Sequence, residues 1–177
     1  MTDTIRNYGI ILLVLAMAAA MRILPHPPNF TPVIAMGLFS VSFFRRPLLG
    51  ALVPIGVMIL SDLVLGSHQT QIAVYISLII SASLGLLLTQ WSSLTRVCLL
   101  GVGAASLFFL CSNFAVFALG HMYPHSLSGL LSCYLAAIPF FHNTLLSTLL
   151  YGVGIWSGYR LLITQLCPVE SHSSSTG

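Results

Sequence analysis

Between Arg96 and Arg160 the chain runs for 63 residues, 97–159, without one formal charge. A water-soluble domain carries about 25% charged residues spread along its length. Here the charged fraction of the whole 177-residue chain is 5%, against 57% hydrophobic residues. No soluble fold of this size hides that much apolar side chain, so the sequence predicts an integral membrane protein. The expected class is all-α: a polytopic protein of six transmembrane helices, since apolar runs of about 20 residues are what a spanning helix needs.

The sequence contains no lysine. That excludes both a P-loop lysine and a Schiff-base lysine. The arginines are scattered singly or in one pair between apolar runs, which is not the footprint of a nucleic-acid-binding surface. The cysteines, Cys98, Cys111, Cys133 and Cys167, form no C-x-x-C pair and match no zinc or haem spacing. They read as buried free thiols.

Six segments read as spans: Tyr8–Leu24, Thr31–Phe44, Leu48–Leu65, Gln71–Leu88, Val97–Leu119 and Asn143–Ile163. The second is short and calls for tilt, a re-entrant path or shielding by neighbours. Leu127–Phe141 is apolar but interrupted by Ser132, Tyr134 and Pro139, and reads as a partial helix leading into the last span. Arg6, the following apolar run and Ala18–Ala20 resemble a signal peptide. Asp3 and the continuation through Met21–Arg22 favour a retained first span. The expected organisation is one transmembrane domain over 1–165 and a polar, disordered tail over 166–177. With the N-terminus inside, five of the six arginines fall on the cytoplasmic side and only Arg22 on the other, as the positive-inside rule prefers. Both termini are then cytoplasmic.

This orientation gathers polar residues on the outer side. His26, His68, His121, His125 and His142 are five of the six histidines, and all lie in the outer connections, Pro25–Pro32, Ser67–Thr70 and Gly120–His142. At 1.5 Å per residue, Arg22 and Asp62 each sit about 21 Å from the inner end of their spans, Asn113 about 24 Å and His142 about 27 Å. A charge at such depth costs several kcal/mol unless it is paired or hydrated. Arg22 and Asp62 are therefore expected to pair, either to pin span one to span three or to line an outward-facing cavity. Four prolines in Pro25–Pro32 forbid a helix there, so the segment is either a rigid connector or a pocket wall offering His26, Asn29 and Phe30. Asn113 needs a partner inside its apolar span. Tyr123, Tyr134, Phe140 and Phe141 read as an interfacial belt or as a lid over a flat ligand. The candidate site is Arg22, His26, Asn29, Phe30, Asp62, Asn113, Tyr123, Tyr134, His142 and Asn143. No catalytic residue and no metal ligand is assigned, since the histidines lack H-x₃-H or H-E-x-x-H spacing. Small residues at Ala16-x-x-x-Ala20, at Ser77, Ser81 and Gly85, and at Gly154-x-x-x-Gly158 mark close helix contacts. The last continues a face with Asn143, Ser147 and Tyr151.

The run Arg22-Ile23-Leu24-Pro25-His26-Pro27-Pro28-Asn29-Phe30-Thr31-Pro32 resembles an uncharacterised bacterial family of proposed membrane transport proteins. The likeness continues through Asp62-Leu63, Ser112-Asn113-Phe114, Tyr123-Pro124, Gly129-Leu130 and Cys133-Tyr134, and ends with Ala136-Ala137-Ile138-Pro139-Phe140-Phe141-His142-Asn143-Thr144. That family is in turn similar to the substrate-binding S components of energy-coupling factor (ECF) transporters, six-helix proteins of about this size. Ile138-Pro139-Phe140, followed by Asn143, is similar to the start of their last helix, and Ala16 and Ala20 to the small-residue motif that meets the coupling subunit. The resemblance implies a substrate-binding subunit in the bacterial inner membrane. It would take up a vitamin-like micronutrient, cobalamin among the candidates, with an ECF coupling subunit and two ATPases as partners. No cofactor is assigned, and no enzymatic activity is expected, since the sequence has no G-x-S-x-G and no zincin signature. The nickel and cobalt type of S component begins with a histidine motif that Met1-Thr2-Asp3 lacks, and Cys111 and Cys133 are not assigned to cobalt. Two rival expectations stand beside it: a membrane-embedded enzyme or metal-binding protein using Asp62 and outer-face histidines, and an accessory membrane subunit without a ligand.

Overall fold

The computed structural model describes residues 15–67, 69–89 and 92–166. Among them every regular element is helical. The first helix, α1, is described over 15–23. It is followed by α2 (Val33–Phe44), α3 (Pro47–Leu65), α4 (Gln71–Ala82) with a 3₁₀ extension over Ser83–Leu87, α5 (Leu94–Leu119) and α6 (Leu127–Leu166). Three helices are long and apolar enough to cross a membrane: Pro47–Leu65, Leu94–Leu119 and Leu127–Leu161. Of the expected first span, positions 8–14 lie outside the described residues, as do His68, Cys167 and tail positions 167–177.

The helical bundle is apolar outside and partly polar inside. Phe43, Leu63 and Ile72 are 81%, 77% and 75% exposed, and Leu48, Leu52, Leu127, Leu135 and Leu150 also point outward. Ser61, Asp62, Ser77, Ser81, Thr144, Ser147 and Thr148 are buried. Water would penalise so continuous an apolar surface, whereas small and polar residues facing inward are how helices associate where the solvent is itself apolar.

Helix α2 lies at the centre, and this explains its 12-residue length. It packs against α3, α4, the 3₁₀ segment, α5 and α6. Ala35 and Val41 are fully buried. A helix shielded by its neighbours need not be long enough to span. Gly50 makes the α2–α3 approach possible, since a Cβ there would lie 2.3 Å from Val41 Cα. Ser40 Oγ bridges the same pair by donating to Gly50 O at 2.7 Å. Arg45 ends α2 in the left-handed region, φ 55°, with its N–H on Val41 O, and Pro47 opens α3 at a position where its missing N–H costs nothing.

Two expectations from the sequence are corrected. Span four does not run as one α-helix to Leu88: the α-helix stops at Ala82 and tightens into 3₁₀. The reason is contact with α2, because a Cβ on Gly85 would sit 2.1 Å from Leu38 O. The outer connection also does not extend over Gly120–His142. Helix α6 runs unbroken for 40 residues from Leu127, with Pro139 inside it. The residues that look like interruptions are satisfied within the helix pair: Ser132 Oγ donates to Ser128 O at 2.8 Å and Tyr134 OH to Leu110 O of α5 at 2.7 Å. Gly129, Cys133 and Ala137, four apart, form the buried face of this first half of α6. At 1.5 Å per residue α6 is about 60 Å long, roughly twice the hydrocarbon thickness of a bilayer.

Candidate functional site

Depth alone requires a partner for each intramembrane charge, and Arg22 on α1 finds Asp62 on α3 at 2.9 Å. The same nitrogen, Nη1, also donates to Ser61 Oγ and, at 3.4 Å, to Met58 O. The other carboxylate oxygen, Oδ2, accepts from Tyr75 OH at 2.8 Å and from Gln71 Nε2 at 3.0 Å. Gln71 also donates to Tyr75 OH at 2.8 Å. Three helices thus converge on Asp62, whose side chain is 6% exposed against 16% for Arg22. The α4 pair satisfies the carboxylate oxygen that a lone ion pair would leave unsatisfied, and Ser61 adds a second acceptor for Nη1, the kind of support under which a buried carboxylate is tolerated. Gln71 and Tyr75 were not singled out in the sequence; their i, i+4 spacing at the start of span four was the available signal.

The proline-rich connection is a rigid turn stapled to α6. Phe30 N–H donates to Pro27 O at 3.0 Å, and Asn29 adopts φ 63°, a region that asparagine tolerates better than most residues. Asn143 Nδ2 donates to Pro28 O at 3.0 Å, and Ser147 Oγ reaches Asn29 O at 3.5 Å. One turn further, Tyr151 meets Phe30 edge-to-face at 6.2 Å. Asn143, Ser147 and Tyr151, at i, i+4 and i+8, are one face of α6 used as a binding strip for the connection.

Between these two assemblies lies a cavity of about 330 Å³. Arg22, His26, Asn29 and Thr31 form its wall on the α1 side. Ser112 of α5 and Thr144 and Ser147 of α6 face it with hydroxyl-bearing side chains. Val33, Ile34, Met58, Leu78, Phe108 and Val116 supply apolar surface. His26 Nδ1 lies 2.6 Å from Leu24 O. That carbonyl can only accept, so Nδ1 carries a proton and Nε2 is the remaining ring nitrogen.

The cavity wall therefore includes Arg22, His26 and Asn29 of the expected site. Asp62 stands behind Arg22. Phe30 packs on Tyr151 and Asn143 holds the connection. Asn113 Nδ2 donates to Phe109 O of its own helix at 2.8 Å, and its neighbour Ser112 is the polar α5 residue on the wall. Tyr134 lies between α5 and α6, edge-on to Phe109 at 5.5 Å. Tyr123 sits half-buried in the short connection 120–126, and His142 is exposed on α6. Thr31, Thr144 and Ser147 are wall residues missed in the sequence, although Ser147 was already on the Asn143–Tyr151 face. Ala16 and Ala20 are exposed on α1, while Ala18 and Ala19 are buried. Among the described residues no group of three His, Cys, Asp or Glu side chains converges as a metal site would require.

These features define an all-helical protein with membrane-length apolar helices and a polar cavity at one end of the bundle. The chain belongs to a family of unknown function, DUF6580, whose model matches residues 2–170. No curated protein and no solved structure matches it.

Proposed function

We propose that this is a multi-pass inner-membrane protein that binds a small solute from the outside as the substrate-binding subunit of an uptake system. The observation that carries the reading is the cavity of about 330 Å³ with an arginine, a histidine, an amide and four hydroxyls on its wall. Polar groups that converge on a concave wall with apolar surface between them are the usual make-up of a ligand site. The volume suits a small micronutrient better than a corrinoid, which narrows the cobalamin expectation. Four exposed arginines, Arg45, Arg46, Arg96 and Arg160, lie at the helix ends away from the cavity, and the positive-inside preference supports a cytoplasmic side for that end and an outer side for the cavity. The exposed Ala16–Ala20 face of α1 is where an ECF-type coupling subunit, and through it two ATPases, would dock.

Protein purified from native membranes and then denatured should release a stoichiometric small solute, and restoring that solute should raise thermal stability by mass action. Release of lipid alone, together with a Ser112→Cys thiol that no small neutral reagent reaches, would remove the reading.

A further inference from the structure

The ion pair is asymmetric with respect to the cavity. Arg22 lies on the wall and Asp62 does not. Asp62 has both oxygens engaged, by Arg22, Tyr75 and Gln71. Toward the described residues Arg22 spends only Nη1. Among the described residues no buried side-chain nitrogen or oxygen lacks a partner, so the Nε and Nη2 edge of Arg22, which has none, reaches accessible space. That edge is a planar fork of N–H donors whose spacing matches the two oxygens of a carboxylate.

The opposite wall has the complementary polarity. Ser112 Oγ donates to Phe108 O at 2.7 Å, Thr144 Oγ1 to Phe140 O at 2.9 Å and Ser147 Oγ to Thr144 O at 3.0 Å. Ser147 can also turn to Asn29 O at 3.5 Å; in every case the hydroxyl hydrogen goes to a backbone carbonyl, so each oxygen is left to accept. A ligand in this space meets donors at Arg22 and acceptors on α5 and α6, with apolar surface between.

We infer that the solute is a small monocarboxylate carrying a hydroxyl or N–H group, its carboxylate seated on the Nε and Nη2 edge of Arg22. The inference rests on the solute-binding reading above. One negative charge fits better than two: Arg22 faces the cavity while Asp62 stands behind it, so the local field favours an anion, but the pair's net charge is near zero and a dianion such as phosphate would leave more charge uncompensated against a half-apolar wall.

The test uses Ser112→Cys in a full-length chain whose four native cysteines are replaced, reacted with an anionic and a cationic methanethiosulfonate. Each rate is divided by that reagent's rate with free 2-mercaptoethanol. The expected result is an anionic reagent favoured by about tenfold or more, as for a cleft that concentrates one sign of charge. The preference should disappear in the doubly neutral variant R22Q/D62N, and the wild-type ratio alone decides if that variant does not fold. Equal normalised rates, or a faster cationic reagent, would overturn the carboxylate inference and leave an open solute cavity standing. Failure of both reagents to react would mean a closed, dry space, and the solute-binding reading would fall with the inference.

Discussion

The side-chain amide of Asn143 donates to the carbonyl of Pro28 at 3.0 Å, joining residues 115 positions apart. It fixes the cavity's proline-rich wall to α6. Asn143→Leu keeps the volume but removes the donor, and should cost about 1 kcal/mol in thermal unfolding, the usual net value of one hydrogen bond. The more specific readout is hydrogen exchange at the amides of Phe30 and Thr31, which close the turn on Pro27 O and Asn29 O. Their exchange should quicken in the variant while the α5 amides stay unchanged. Unaltered exchange would show that the turn holds without its staple.

Arg22 and Asp62 should behave as a coupled unit. Asp62→Ala strands a guanidinium that is 16% exposed, and Arg22→Leu strands a carboxylate that is 6% exposed. Each single change should cost about 3 kcal/mol or more, the penalty for an orphaned buried charge. The double variant should recover part of that loss. Losses that simply add, measured by thermal or denaturant unfolding in detergent, would show that the contact contributes nothing.

Two glycines separate close packing from open surface. Gly50→Ala drives a Cβ to 2.3 Å from the Val41 backbone, and α2 and α3 must part. The expected cost is about 1–3 kcal/mol, as for overpacked cores. Gly154→Ala meets nothing within 4 Å. It should be neutral, or stabilise by up to about 1 kcal/mol through helix propensity. If both behave alike in unfolding experiments, the α2–α3 approach is looser than the structure shows.

The legible parts of this protein were those with a large physical cost. The missing charges predicted apolar helices. Depth predicted the Arg22–Asp62 pair, and four prolines predicted an irregular wall. What was not legible depended on local satisfaction. Ser132, Tyr134 and Pro139 looked like breaks in α6, because a sequence does not show that a serine bonds its own turn or that a tyrosine reaches Leu110. Asn113 looked like a cavity group, yet its amide goes back to Phe109, and the plainer Ser112 faces the space. The stripe Ser77, Ser81 and Gly85 signalled the close approach to α2, but not that the contact would tighten Ser83–Leu87 into a 3₁₀ turn. Gln71 and Tyr75 lacked charge and so drew no attention, although they hold half of the Asp62 carboxylate.

Sidedness is the remaining expectation with a direct measurement. Arg45 Nη1 bonds Leu88 O at 2.9 Å, and Trp156 Nε1 bonds Ser92 O at 2.9 Å. Arg160 stacks over Trp156 at 5.7 Å. These contacts bring the ends of α2 and α6 and the start of α5, with Arg96, to one end of the bundle. His125, in the connection between α5 and α6, lies against Phe117 near the other end of α5, at 5.4 Å between ring centroids. Inverting the chain would put the whole arginine end outside, against the positive-inside preference. Single cysteines at Thr95 and at His125, both exposed positions, report the two ends in a chain whose native cysteines are replaced. In intact cells an impermeant maleimide should label the cysteine at 125 and not the one at 95, and opening the cells should expose both. Labelling at 95 from outside would place the arginine end out and the cavity in the cytoplasm, and uptake from outside would no longer be the direction that the fold supports.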